Sequence, residues 1–282
     1  MERLGEAINR MTHTLGLDSH SNCEIQICPT CGKPLQTKIE ILGMLRVVPV
    51  MCECQKREYE QQQQMRELEQ KRLRLERLKK YSLMDEQFRE CTFENFIVDD
   101  ENEKYYKLAL NYCRRWQEMK QKNIGLLLWG LPGTGKSYLA FCIANKLIEQ
   151  LIPVIAISSI GFLNMLKQTY SNYGQEGEAE IIAMFRNASL LVLDDLGAEN
   201  ETGWAKEKLY ELIDFRYRDK KPLIVTTNLT PDQLKQKMTQ QDKVPRTYDR
   251  LIEMCYPIEV KGKSRRIEKA KEKENIIKSL LE

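Results

Sequence analysis

The sequence predicts an α/β fold, a parallel five-stranded sheet with helices on both faces. Three observations carry that prediction. From about residue 81 onward, short apolar runs alternate with amphipathic helical patterns. One apolar run ends in "GLPGTGKS", a glycine-rich turn that opens onto a helical stretch. Another, "ASLLVLDDLGAE", ends in two adjacent carboxylates, Asp194 and Asp195.

Composition sets the frame for the elements. With 282 residues, 42% of them hydrophobic, the chain has material for one large or two modest domains with a real core. A net charge of +3 is too small to imply a nucleic-acid partner, which would have to use local patches. No apolar run is long enough to span a membrane, and "MERLGEAINRMTHTLGL" lacks a signal-peptide core. A cytoplasmic protein is therefore expected. The two histidines, His13 and His20, stand near the start, so histidine acid–base chemistry is excluded from the main domain.

Three regions follow from the composition. Residues 1–54 hold five of the nine cysteines and read as a metal-binding module. Residues 55–82 contain no Gly or Pro, are rich in Gln, Glu, Lys, Arg and Leu, and predict a helical linker. Met65, Leu68, Leu75 and Leu78 fall on an a/d-like spacing that Arg72 interrupts, so a solvated helix is preferred over a coiled coil. Residues 83–282 form the α/β domain with a short C-terminal lid or tail.

In the first region, "CPTCGKPL" is followed after twenty residues by "CEC". Cys28 and Cys31, with Gly32 behind them, form a knuckle that aims two thiolates at one point. Cys52 and Cys54 can complete a tetrahedral zinc (Zn2+) site. The Cys-x-Cys pair is tighter than the usual Cys-x-x-Cys. A redox dithiol is the rival reading, but no thioredoxin-like strand–helix pattern surrounds it. The segment is small and polar, so metal binding would supply its folding energy. Cys23 and His20 are reserve ligands.

In the third region, apolar runs at 124–129, 153–157, 190–193, 223–227 and 258–260 read as strands, with helices at 137–150, 160–170 and 205–218 between them. Gly130, Leu131, Pro132, Gly133, Thr134, Gly135, Lys136 and Ser137 satisfy G-x-x-x-x-G-K-[ST] with a strand before and a helix after. The glycines let backbone N–H groups wrap phosphates, and the following helix presents its positive N-terminus to them. Lys136 would reach the β- and γ-phosphates of a nucleotide, and Ser137 can ligate Mg2+ through its hydroxyl. At the 190–193 strand end, Asp194 can hold the Mg2+ and Asp195 can polarise water. Cys142 and Phe141 read as core.

"KPLIVTTNL" ends in Thr226, Thr227 and Asn228, a weak signal by itself. In the usual P-loop winding, Asn228 would stand between the first and third strands, near the γ-phosphate. "VPRTYDRLIEMC" puts Arg246 and Arg250 on one face of a short helix, and "KGKSRR" supplies Arg265 and Arg266. Such arginines can stabilise charge on a transferring phosphoryl group, although a solvated basic face accounts for any one of them.

The sum of "GLPGTGKSYLA", "LLVLDDLGAE", "LYELIDFRYRDKKPLIVTTNL" and "RTYDRLIEMC…GKSRR" resembles the AAA+ ATPases, and among them the DnaC/DnaI-type replicative helicase loaders and the related IstB transposition ATPases. The resemblance covers roughly residues 88–268. It implies an AAA+ ATPase that uses ATP and Mg2+. Lys136, Ser137 and Tyr138 would lie in Walker A. Asp194 would be the Walker B magnesium residue and Asp195 its catalytic carboxylate. Asn228 would be sensor 1. Arg246 would be a finger acting on ATP in a neighbouring subunit, and Arg265 would be sensor 2. Self-assembly follows from a finger that acts in trans. A DnaB-type replicative helicase and single-stranded DNA are the implied partners, and hydrolysis the step that drives release. Many AAA+ proteins carry Asp-Glu where this chain has Asp194-Asp195, which puts the rate of hydrolysis in question and makes Glu199 a substitute if its loop folds back.

The same resemblance assigns the stretch "SSIGFLNMLKQTYSNYGQEGEAEIIAMF" to single-stranded DNA, with Lys167 and Tyr170 at the contact positions and Tyr173 nearby. A lysine for phosphate and a tyrosine for stacking suit sequence-independent binding. A surface helix with one buried aromatic explains the pattern equally. Phe93, Phe96, Trp129 and Trp204 read as packing. Two alternatives stay open, a transposition helper of the IstB kind acting on duplex DNA and an ATP-dependent adaptor that does not hydrolyse.

Overall fold

A computed structural model describes residues 25–41, 44–79, 86–171, 177–239 and 242–279. His13, His20, Cys23 and Tyr173 lie outside the described residues. The chain divides into two compact units, Met1–Gln70 and Lys71–Glu282.

The first unit contains an antiparallel hairpin, β1 (Gln36–Ile41) and β2 (Met44–Pro49), and most of helix α1 (Glu53–Lys79). An isolated bridge, Ile27 to Pro34, closes the knuckle around Cys28 and Cys31. Helix α1 begins earlier than its composition suggests, because Cys52 caps it. The Gln55 N–H donates to Cys52 Sγ at 3.5 Å, and the Cys52 N–H donates back to Gln55 Oε1 at 3.4 Å. This is the reciprocal arrangement of a capping box with sulfur in place of a hydroxyl. The tight Cys-x-Cys spacing has its explanation here, since Cys54 lies in the first helical turn.

After the end of α1, the second unit has the helices α2 (Glu86–Arg89), α3 (Glu103–Arg114) and α4 (Trp116–Gln121). It continues as β3 (Gly125–Trp129), α5 (Lys136–Glu149), β4 (Val154–Ser158), α6 (Ser159–Ser171), α7 (Glu178–Asn187), β5 (Leu190–Asp194) and α8 (Gly203–Arg218). Then come β6 (Leu223–Thr227), α9 (Pro231–Met238), α10 (Arg246–Met254), β7 (Cys255–Glu259) and α11 (Arg265–Ser279). The sheet order is β4-β5-β6-β3-β7, and all four pairings are parallel. β6 therefore stands between β3 and β5, as the P-loop winding requires.

The near-continuous apolar strands are what a sheet covered on both faces demands. Alternate residues go to opposite layers. Leu126, Leu128, Val192 and Ile224 pack with α3 and α5, and Leu127, Leu191, Leu193 and Val225 pack with α6, α7 and α8. Cys142 is fully buried in the first layer, and Phe93 packs there too.

The last strand starts three residues before the apolar pattern implies. Pro257 in "CYPIEV" argues against a central strand, but β7 is an edge strand, where a missing N–H costs no ladder bond on the open side. At the opposite end of the sheet from the glycine-rich turn, Arg216 is fully buried. Its guanidinium donates to the carbonyls of Phe185, Ala188, Ser189 and Pro222. It thereby satisfies the backbone ahead of β5 and β6, and its Nε has no partner among the described residues.

Candidate functional site

The carboxyl ends of β3, β5 and β6 bring the predicted residues to one edge of the sheet, where ligands of open α/β sheets bind. The turn after β3 bends through positive φ at Gly130 (139°), Gly133 (84°) and Gly135 (94°). The glycine requirement at Gly133 is twofold, because a Cβ there would also lie 2.2 Å from Ser264 Oγ. The C-terminal segment thus crosses the back of the turn, and the Arg265 N–H donates to the Gly133 carbonyl at 3.1 Å. Thr134 Oγ1 donates to the Leu131 carbonyl, while Leu131 itself is exposed.

Lys136 is buried, and its ammonium donates to the carbonyls of Gly130 (2.9 Å) and Leu131 (2.8 Å). Burial holds its pKa below the ordinary lysine value. The charge of Arg266 pushes the same way, while Asp195 and Asp194 oppose it. A phosphate arriving here would exchange neutral carbonyl acceptors for charged oxygens, a stronger class of hydrogen bond.

Asp194 ends β5. Burial raises its pKa, and hydrogen bonds from the Thr226 and Ser137 hydroxyls oppose that rise. The Thr226 hydroxyl lies 2.6 Å from Asp194 Oδ1. A carboxylate beside the first helical serine, at the lysine's edge of the sheet, fits the donor set that Mg2+ takes with phosphate. Asp195 follows in the left-handed region, at φ 50°. Asn228 is exposed immediately after β6.

Aromatic side chains gather around Tyr138, the residue after Ser137. The Tyr138 and Phe96 rings lie 5.6 Å apart, and the Tyr138 hydroxyl donates to the Glu90 carbonyl. Phe96, expected as packing, carries the Arg265 guanidinium at 5.6 Å from its ring centre. Arg265 also donates to the Ile97 carbonyl (2.6 Å) and to Asp99 (2.9 Å). Of the two adjacent arginines, Arg265 is thus engaged with residues 96–99, and Arg266 is the one whose charge reaches Lys136. The dipeptide gives no signal of that division.

Structure also separates the other arginine pair. Arg250 is inward. It lies 4.8 Å from the Tyr210 ring centre and 5.7 Å from that of Tyr217. Its Nη1 is 2.8 Å from Asp214, a charge contact rather than an aligned hydrogen bond. Arg250 locks α10 onto α8. Arg246, one turn earlier at the start of the helix, is half exposed and pairs with Asp242 in the turn that precedes it.

On α6, Lys167 and Tyr170 meet a residue that sequence reasoning assigned to packing. The Lys167 ammonium lies 5.3 Å from the Trp204 ring centre, and the Tyr170 ring 6.3 Å from it. Tyr170 is exposed and donates to Glu178.

In the first unit, the sulfurs of Cys28, Cys31, Cys52 and Cys54 all lie within 4.8 Å of one another. A zinc–thiolate tetrahedron with bonds of about 2.3 Å has edges of about 3.8 Å, so the four fit a structural zinc. The N–H groups of Cys31 and Thr30 aim at the Cys28 sulfur and hold its pKa down to about 7, which favours the ligating thiolate. All four are free thiols. Among the described residues, no helix is long and apolar enough to cross a membrane.

Comparison with known proteins follows the same lines. The family described as IstB-like ATP binding protein matches residues 53–273. Replicative helicase loader DnaC of Escherichia coli (strain K12) is 30% identical over 145 residues, 51% of this chain and 58% of that protein. Replicative helicase loader DnaI of Bacillus subtilis (strain 168) is 26% identical over 185 residues, 62% of this chain and 58% of that protein. The chain thus spans somewhat more than half the length of these curated relatives. A crystal structure of DnaI superposes with a TM-score of 0.54 at 25% identity, over 65% of this chain and 95% of that one. The fold is that of the AAA+ domains.

Proposed function

The chain belongs to the family of IstB-like ATP-binding proteins, and on that premise we propose that it is an ATP-dependent loader of a DnaB-type replicative helicase. One observation carries the reading. Lys136, Ser137, Asp194 and Asp195 meet at one sheet edge in a chain whose relatives are named replicative helicase loaders.

In this reading the N–H groups of 130–137 and Lys136 bind the phosphates of ATP, and Ser137 and Asp194 hold Mg2+. Asp195 polarises the attacking water, with Asn228 beside the γ-phosphate. The protein's contribution is positioning and charge stabilisation. Arg246, outward on a helix that Arg250 fixes, serves the ATP of a neighbouring subunit, so self-assembly completes the site. Arg265 acts on its own subunit's nucleotide by exchanging Asp99 for phosphate.

Lys167 and Tyr170, joined by Trp204, hold single-stranded DNA through phosphate contact and stacking. The cysteine module, with a structural zinc, and α1 dock on the helicase. ATP favours the DNA-gripping assembly, hydrolysis drives release, and the protein works in the cytoplasm.

The test is capture of the cognate replicative helicase by the full chain with ATP, run beside the cognate transposase. Retention of helicase, lost on Cys28→Ser, is expected. The description of the matched family favours a second reading, a transposition helper acting on duplex DNA. Capture of transposase and not helicase would establish that reading in place of the first.

A further inference from the structure

The loop that follows Asp195 is tied down by several hydrogen bonds, and Glu199 takes part in three of them. Its Oε2 accepts from the Gly197 N–H at 2.9 Å and from the Ser159 hydroxyl at 2.7 Å. Ser159 is fully buried, and its hydroxyl oxygen lies also 3.0 Å from the Asp195 carbonyl. A hydroxyl has one proton, so the carboxylate and the carbonyl share a single donor.

The remaining ties converge on the same few residues. The Ala198 N–H donates to the Asp195 carbonyl, and the Leu196 N–H donates to the Thr226 carbonyl. The Thr227 hydroxyl donates to the Leu196 carbonyl at 2.6 Å. The Lys237 ammonium donates to the carbonyls of Gly197 (2.6 Å) and Glu199 (3.2 Å). Asp195 is a non-glycine residue in the left-handed region. Aspartate visits this region more readily than most side chains, and the hydrogen bonds of the loop select it here.

We propose that Glu199 is a positioning residue for Asp195: it holds the turn that follows Asp195 by accepting from the Gly197 N–H, and fixes the Ser159 side chain that lies against that turn, and so aims the Asp195 carboxylate at the water it polarises. Glu199 thereby has a role distinct from that of a substitute base, since its carboxylate faces Ser159 and Gly197. The proposal rests on the hydrolytic reading above. Loss of Glu199 would let Asp195 leave its left-handed conformation while Lys136, Ser137 and Asp194 keep theirs. It therefore lowers kcat and spares nucleotide affinity.

The experiment measures kcat and KM for ATP, with single-stranded DNA present, and the affinity for a fluorescent ATP analogue. The full chain is compared with Glu199→Ala, Glu199→Gln, Asp195→Asn, the double variant Asp195→Asn/Glu199→Ala, and Lys136→Ala. Glu199→Ala should lose about tenfold or more in kcat with analogue affinity within about threefold of the parent. Glu199→Gln keeps an acceptor for Ser159 and Gly197 and should recover most of that loss. In the Asp195→Asn background, Glu199→Ala should cost nothing further, because residues acting as a unit are not additive.

Undiminished kcat in Glu199→Ala would overturn the positioning role alone. So would an undiminished effect in the Asp195→Asn background, or equal loss of analogue affinity in the alanine and glutamine variants. Parent turnover no higher than that of Lys136→Ala would overturn the hydrolytic reading itself, and this role with it.

Discussion

Replacing Gly133 by alanine tests whether the C-terminal segment shapes the phosphate-binding turn. At φ 84° an alanine adopts a left-handed conformation, which costs about 1–2 kcal/mol. Its Cβ would also stand 2.2 Å from Ser264 Oγ, 3.0 Å from Ser264 Cβ and 3.2 Å from Ser264 Cα. Rotating the hydroxyl away relieves the first contact and leaves the other two, so segment or turn must shift. The sum comes to about 2–3 kcal/mol, or roughly 30- to 150-fold in affinity if binding must restore the turn.

Titration with a fluorescent ATP analogue measures that loss, with a thermal melt to separate it from unfolding. Ser264→Gly added to Gly133→Ala removes the Oγ and Cβ contacts but not the backbone strain, so about tenfold of the affinity should return. Parental affinity in Gly133→Ala, or no recovery in the double variant, would refute the placement of residues 262–266 across the turn.

Four further outcomes are expected. Arg250→Ala should destabilise the fold by about 1–3 kcal/mol in denaturant unfolding, because it removes the packing on Tyr210 and Tyr217 and leaves Asp214 with only the exposed Arg218, whereas Arg246→Ala should leave stability within about 0.5 kcal/mol and reduce turnover only where subunits assemble. Arg216→Leu should cost about 3 kcal/mol or more, since several buried carbonyls lose their donor together. Burial keeps Asp194 protonated to a higher pH than a free aspartate, so the Mg2+-dependent rate should fall early as pH drops; Thr226→Val removes a hydrogen bond to the charged form and should move that acid limb further up. Zinc content by mass spectrometry should be one ion per chain, and a chelator should raise amide exchange in residues 25–53 while leaving the sheet of the second unit protected.

The sequence by itself determined the elements whose chemistry is contiguous. A strand, the turn from Gly130 to Ser137 and a helix must follow one another for the phosphate motif to exist, so the chain order is already the geometry. The two cysteine pairs and the Asp194-Asp195 strand end are legible for the same reason. Alternating apolar runs predict a sheet covered on both faces, and they miss only that β7 starts at Cys255, ahead of Pro257, which an edge strand tolerates and an interior strand does not.

Tertiary structure alone decided which of two similar residues faces where. Arg246 and Arg250 share a helix face in the sequence, but Tyr210, Tyr217 and Asp214 on α8 draw one inward and leave the other for solvent. Arg265 and Arg266 are neighbours, and Asp99, about 166 residues away in the chain, takes the first. Trp204 joins Lys167 and Tyr170 only because α8 packs beside α6. Glu199 meets Ser159, the first residue of α6, about 40 residues away in the chain. These choices rest on hydrogen bonds and ring contacts between distant segments, and such contacts exist only once the sheet has set the spacing of its strands.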